Sequence, residues 1–191
     1  MARRAEITRS TKETQIEISL SLDGGESEIT TGVGFLDHML SAFALHGGFG
    51  LCCKVKGDLE VDAHHTVEDT GIVLGQAFAS ALGDKARIAR YGSFFIPMDE
   101  ALAFCAVDIS ARPFLVFDVK FNNFETGGFD YSLVEEFFRA FAFNAGVTLH
   151  IRELYGSNDH HVAEAVFKAA AHAMSAACAP KNGVLSTKGS L

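Results

Sequence analysis

No stretch of this 191-residue chain holds the ~18–20 consecutive apolar residues that a membrane span requires. The N-terminal Met1-Ala2-Arg3-Arg4-Ala5-Glu6 is likewise followed by no apolar signal segment. Neither insertion nor export is expected, and the expected compartment is the cytoplasm. Positive charge is also scarce. Sixteen Lys and Arg stand against 24 Asp and Glu, a formal net charge of -8, which argues against a nucleic-acid surface, where a basic footprint is needed. An anionic ligand must therefore be met by a few placed cations. The four cysteines (Cys52, Cys53, Cys105, Cys178) form no CxxC pair. Adjacent Cys52 and Cys53 would face opposite sides of a strand, so neither a disulfide framework nor a thiolate zinc site is expected. No Gly-rich dinucleotide loop or P-loop is present, and no organic cofactor is implied. What the chain does have is apolar content: 48% hydrophobic residues suffice for one compact domain, or for two small halves sharing a core.

The apolar pattern supports the second description. Residues 15–22 alternate, with Ile16, Ile18, Leu20 and Leu22 on one face, and Asp23-Gly24-Gly25 predicts a hairpin turn into a strand near 28–31. Leu36, Met39, Leu40 and Phe43 then mark one face of a helix that carries His38 and stops at Gly47-Gly48. A strand over 51–61 and a helix over 66–82 follow, so the first half reads β-β-α-β-α. The second half repeats that order, with strands over 101–108 and 114–121, a helix over 133–143, a strand over 147–154 and an Ala-rich helix over 161–178. Residues repeat as well. Leu36-Asp37-His38-Met39-Leu40 lies over Val134-Glu135-Glu136-Phe137-Phe138, and His64-His65-Thr66-Val67-Glu68 over His160-His161-Val162-Ala163-Glu164. The expected fold is an α/β (α+β) sandwich made by internal duplication. It is read as one catalytic domain of two fused half-repeats, about 1–84 and 85–179, with a polar tail over 180–191.

Two copies of HHxxE carry most of the chemistry. On a helix His64 stacks with Glu68, and His160 with Glu164, while His65 and His161 are turned by about 100°. Imidazole nitrogen with carboxylate oxygen and no sulfur suits Mn, Fe, Ni or Zn, and room for further ligands favours a six-coordinate ion such as Mn. One HHxxE alone could be a solvated helix start; two in equivalent places of a repeat are harder to read that way. The repeat nominates a fourth ligand in each half, His38 and its counterpart Glu136, although Glu135-Glu136 would also suit a solvated helix face. The two sets are His38, His64, His65 and Glu68, and Glu136, His160, His161 and Glu164. Helix geometry with the repeat divides them into one site of His64, Glu68, His161 and Glu136 and another of His160, Glu164, His65 and His38, drawn from different subunits. His46 either lines the pocket or ends its helix; His150 and His172 fall outside the pattern. Arg90, Arg112, Lys168 and Lys188 near Ser186 are singly surface charges, and together they form the set that a phosphate monoester needs.

Five stretches resemble the imidazoleglycerol-phosphate dehydratase family: Gly34-Phe35-Leu36-Asp37-His38-Met39-Leu40, Asp62-Ala63-His64-His65-Thr66-Val67-Glu68-Asp69, Pro97-Met98-Asp99-Glu100-Ala101-Leu102, residues 159–168 and Ser186-Thr187-Lys188-Gly189. The resemblance implies a duplicated, ribosomal-protein-like sandwich, a 24-subunit shell and two Mn ions per active site held by the eight ligands. It also implies that Glu13 contacts substrate, and that Arg90, Arg112, Lys168, Ser186 and Lys188 engage it, chiefly at the phosphate; His46 joins this set if it lines the pocket. The implied reaction removes water from imidazole glycerol phosphate, with Glu13 the candidate for proton transfer. One departure stands out, since many members carry His where this chain has Glu136. A dinuclear metal-dependent phosphoester hydrolase and a non-catalytic metal-stabilised shell protein are the rival expectations.

Overall fold

In β2 (Thr14–Ser21) Ile16, Ile18 and Leu20 are buried while Gln15, Glu17 and Ser19 are exposed, the alternation of a sheet with one covered face. The computed structural model describes residues 3–183. Among them β2 pairs antiparallel with β1 (Arg4–Ser10) on one side and with β4 (Gly50–Gly57) on the other, and β3 (Glu28–Thr30) runs parallel to β4 on its far side. The order is β1-β2-β4-β3.

This corrects one expectation, because Asp23-Gly24-Gly25 does not fold β3 back onto β2. Gly24 and Gly25 take positive φ (85° and 144°), and the segment passes over the start of β4 so closely that a Cβ at Gly50 would lie 3.0 Å from the Gly24 oxygen. The hairpin of this half joins β1 to β2 instead, and its tip is Thr11-Lys12-Glu13. The strand expected over 51–61 ends at Gly57, where Thr66 crowds the backbone and Val61 N–H turns back to the Asp58 carbonyl at 2.8 Å.

The second half repeats the arrangement with β5 (Tyr91–Met98), β6 (Ala101–Ile109), β7 (Phe114–Asp118) and β10 (Val147–Tyr155) in the order β5-β6-β10-β7 and the same relative directions. A small hairpin, β8 (Glu125–Thr126) with β9 (Phe129–Asp130), is inserted before the third helix. Each half is thus β-β-β-α-β-α, one edge strand longer than the pattern predicted. Both extra strands hide from periodicity: β1 buries only Ala5, and β5 contains Gly92, the pair Phe94-Phe95 and Pro97, a residue tolerated on edges.

Helices α1 (Gly34–Gly47), α2 (His64–Leu82), α3 (Ser132–Ala145) and α4 (Asp159–Cys178) cover one face of each sheet and meet in the middle, α2 on α3 and α1 on α4. Phe43, Phe78, Phe137, Phe138, Phe141 and Phe167 fill the space between, all fully buried. None of the described helices is long and apolar enough to cross a membrane. The α2–α3 crossing is closed on two glycines one turn apart. A Cβ on Gly71 would stand 2.6 Å from the Phe137 carbonyl oxygen, and one on Gly75 2.6 Å from that of Phe141.

Gly71→Ala and Gly75→Ala are expected to destabilise the fold by roughly 1–3 kcal/mol each through overpacking, although alanine is the better helix former by up to ~1 kcal/mol. Urea and thermal unfolding measure the balance; a gain in stability in either variant would show that the helices separate at little cost.

Candidate metal centre

Asn158 caps α4 by accepting the His160 backbone N–H on its side chain at 3.0 Å, so the second HHxxE motif forms the helix's first turns. His160 Nε2 then lies 3.4 Å from Glu164 Oε2. From α1, His38 reaches the same oxygen at 3.2 Å. Asp37 accepts both the backbone N–H and the hydroxyl of Thr31 at 2.7 and 2.6 Å, which ties the first turn of α1 down beside His38. The ligand atoms of His38, His160 and Glu164 all lie within 4.8 Å of one another. Glu164 is buried while His38 is half exposed, so the group has a floor and an open side. Burial pushes the Glu164 carboxyl up, but Lys168, 2.5 Å away at Oε1, and His38 outweigh it and hold the group below the ordinary carboxylate range. Two imidazole nitrogens and an ionised oxygen at this spacing fit a divalent ion of the Mn or Zn kind.

The neighbouring histidines are turned away, as helix rotation requires. The His160 and His161 rings are at 88°, and those of His64 and His65 at 85°. His64 Nε2 keeps to Glu68 at 3.6 Å. The second histidine of each motif is held through Nδ1 by a carboxylate, His65 by Asp58 at 3.0 Å and His161 by Glu100 at 2.7 Å. These contacts raise both histidines' pKa, and the one to His161 lowers that of Glu100 to about 2. Holding a ligand imidazole through its other nitrogen fixes its orientation and tautomer. Glu13, at the hairpin tip, lines a cleft of about 260 Å³ together with Lys56, Asp58 and Glu60. Buried Asp69 on α2 fastens that hairpin by accepting from Arg9 and from the Thr14 hydroxyl.

Other expected site residues are placed differently within one chain. Glu136 is engaged by Arg139 one turn along α3. Among the described residues, His64, Glu68, Glu136 and His161 are not gathered into one group, and His65 stays with Asp58, apart from His38, His160 and Glu164. Arg90 is buried and Arg112 exposed, yet both converge on Asp108: Arg90 at 2.7 and 3.2 Å, Arg112 at 3.3 Å. The His46 ring packs at 5.5 Å on that of His172; burial, then Lys168, lowers its pKa and favours the neutral ring. Ser186 and Lys188 lie outside the described residues. A larger cleft, about 520 Å³, is walled by Gly34, Phe35, Asp62, His64 and the β8–β9 hairpin. Phe35 stacks on Phe129 of that hairpin at 4.4 Å and meets the His160 ring edge-on at 5.4 Å.

Sequence reasoning missed Asp58, Glu100, Asp108 and Asp159. Glu100 had a usable signal, since it sits, like Glu13, in the turn joining the first two strands of its half. Asp159 accepts the backbone and side-chain N–H groups of both Asn122 and Asn123 at 2.7–3.1 Å and so clamps the segment leading to the β8–β9 hairpin.

Residues 31–174 match the family model of imidazoleglycerol-phosphate dehydratase. The chain is similar to the imidazoleglycerol-phosphate dehydratases of Acetivibrio thermocellus, 58% identical over all of both chains, and Methylorubrum populi, 58% identical over 99% of this chain and 100% of that one. The crystal structure of the Staphylococcus aureus enzyme superposes with a TM-score of 0.86 at 44% identity, covering 93% of this chain and 99% of that one. That from Pyrococcus furiosus gives 0.87 at 39%, over 97% and 100%.

Burial raises the Asp159 carboxyl, but its four N–H donors prevail and leave it below the ordinary value. A depressed carboxylate contributes stability above its unfolded pKa, and that contribution is lost as pH falls through the folded value. Asp159→Ala should therefore open residues 119–131 to hydrogen exchange at neutral pH, whereas the parent should open there only below about pH 4. Equal exchange of this segment in variant and parent at pH 7 would remove the clamp.

Proposed function

Since the chain belongs to the imidazoleglycerol-phosphate dehydratase family, hydro-lyases of histidine biosynthesis, we propose that it dehydrates D-erythro-imidazole glycerol phosphate to imidazole acetol phosphate with two Mn ions per site. The observation that carries this reading is the convergence of His38, His160 and Glu164, contributed by helices of both halves, on one point beside an open cleft wall. In our reading His65 of a neighbouring copy completes that site, and His64, Glu68 and Glu136 with a neighbour's His161 form the second. The sites then lie at subunit contacts of a homo-oligomer of 24 copies working in the cytoplasm.

The proton to be removed is on unactivated carbon, so the substrate's imidazole must take up the electrons left behind. When bound, the divalent ions supply Lewis-acid polarisation of that ring and so lower the barrier to loss of the hydroxyl. The chain's own residues do the rest. Glu13 faces its cleft from a hairpin fastened through Asp69 and is suited to move the proton. Arg90 and Arg112 converge on Asp108, and in our reading they engage the phosphate from there. Lys168 is held on Glu164 and serves the phosphate from that anchor, with Ser186, Lys188 and His46 completing the set.

The test is turnover of imidazole glycerol phosphate by protein stripped with a chelator and then reconstituted. Activity should return with Mn at two ions per chain, without release of inorganic phosphate, and chelation should shrink the particle in light scattering. Phosphate release would favour a metallohydrolase; assembly without turnover would leave only a shell protein. Arg112→Ala and Lys188→Ala should raise KM with Mn content unchanged. A charge-assisted hydrogen bond of ~1.5–3 kcal/mol corresponds to roughly ten- to hundredfold, and loss of Mn in either variant would overturn these assignments.

A further inference from the structure

Each half opens with a hairpin, and each hairpin tip carries a glutamate: Glu13 between β1 and β2, Glu100 between β5 and β6. The two hairpins hold equivalent places in sheets of the same order. Glu100 Oε2 lies 2.7 Å from His161 Nδ1. In the first half the corresponding position on His65 is taken by Asp58, which shares a cleft with Glu13. Asp58 thereby leaves the Glu13 carboxylate to face the cleft, while among the described residues Glu100 is the carboxylate at His161 Nδ1 and Asp99 stands at Nε2.

We propose that Glu100 is the positioning residue of His161, the counterpart of Glu13 turned from proton transfer to fixing a ligand imidazole. An ionised carboxylate only accepts hydrogen bonds, so Nδ1 must donate, and the neutral ring then carries its lone pair on Nε2. Nε2 lies 3.7 Å from exposed Asp99. Glu100 cannot swing away easily. Its Oε1 accepts the backbone N–H groups of Ser157 and Asn158 at 3.2 and 2.7 Å and the Ser157 hydroxyl at 3.3 Å. The same Asn158 caps α4 and holds the His160 N–H. One side chain therefore sets where α4 begins and which nitrogen of His161 is offered to an ion. The inference rests on the reading that His161 is a metal ligand.

Glu100→Gln separates positioning from anchoring. Its amide oxygen still accepts from Ser157 and Asn158, but its NH₂ now faces His161, so the ring must offer the Nδ1 lone pair and carry its proton on Nε2. Calorimetric Mn titration of chelated, reconstituted protein should show one of the two ions bound roughly 10–100-fold more weakly, with the melting temperature near that of the parent. Nitrogen-15 solid-state spectra of histidine-labelled, metal-free protein should show His161 as the Nδ1–H tautomer in the parent and Nε2–H in the variant. Parent-like Mn affinity in Glu100→Gln overturns the proposal, as does an Nε2–H tautomer in the parent, a measurement that needs no variant. If the parent itself binds no Mn, the metal reading fails instead, and the tautomer still decides whether Glu100 orients the ring.

Discussion

A carboxylate removed from water must be paired or protonated, and Glu164 is removed from water at the place where the two halves meet. One oxygen takes Lys168 from its own helix, and the other is left to His38 from the first half and His160 from the second. The packing of α1 on α4 is therefore not only apolar. A sideways shift of either helix would take His38 away from Glu164 and leave that carboxylate to Lys168 and His160 of its own helix. The same pairing keeps the two imidazole nitrogens and the carboxylate near one another, which is the preorganisation that the proposed metal site needs.

Around that point the duplication has been used unequally. Both halves present an HHxxE helix, a carboxylate on the second histidine and a glutamate at the hairpin tip. In the first half the carboxylate and the glutamate are two residues, Asp58 and Glu13; in the second, Glu100 is both. Asp108 applies a related economy to the cations, since one acid spaces two guanidinium groups and prevents their mutual repulsion.

Features with a period were legible in the sequence. The helices and inner strands followed from 3.6- and 2-residue spacing, and the HHxxE motifs from the i, i+4 relation. The place of His38 beside the second motif was legible only through the repeat, because nothing in Phe35-Leu36-Asp37-His38 itself marks that histidine out. Of the edge strands, β1 and β5 were not, because β1 buries a single residue and β5 breaks alternation at Phe94-Phe95. Nor was the path of Asp23-Gly24-Gly25: glycine permits a turn without saying onto which strand the chain lands, and the landing was decided by packing against Gly50. Asp58, Glu100, Asp108 and Asp159 sit in or beside turns, where no periodicity says what a carboxylate will touch.

The glycine-closed crossing of α2 and α3 bears on the history of the two halves. By the alignment that sets His64 over His160, Gly71 stands over Phe167 and Gly75 over Ala171. Phe167 fills a space against Phe137 and Phe138, with ring centroids at 5.3 and 4.8 Å, whereas Gly71 leaves room for nothing but a carbonyl. The copies have become complementary parts, one providing the ring and the other the gap. A stretch of α4 written into α2 would drive a phenylalanine into the Phe137 backbone, and the reverse exchange would empty the core. Sequence exchange between the halves is closed to this chain, and each copy can now vary only within the limits that the other imposes.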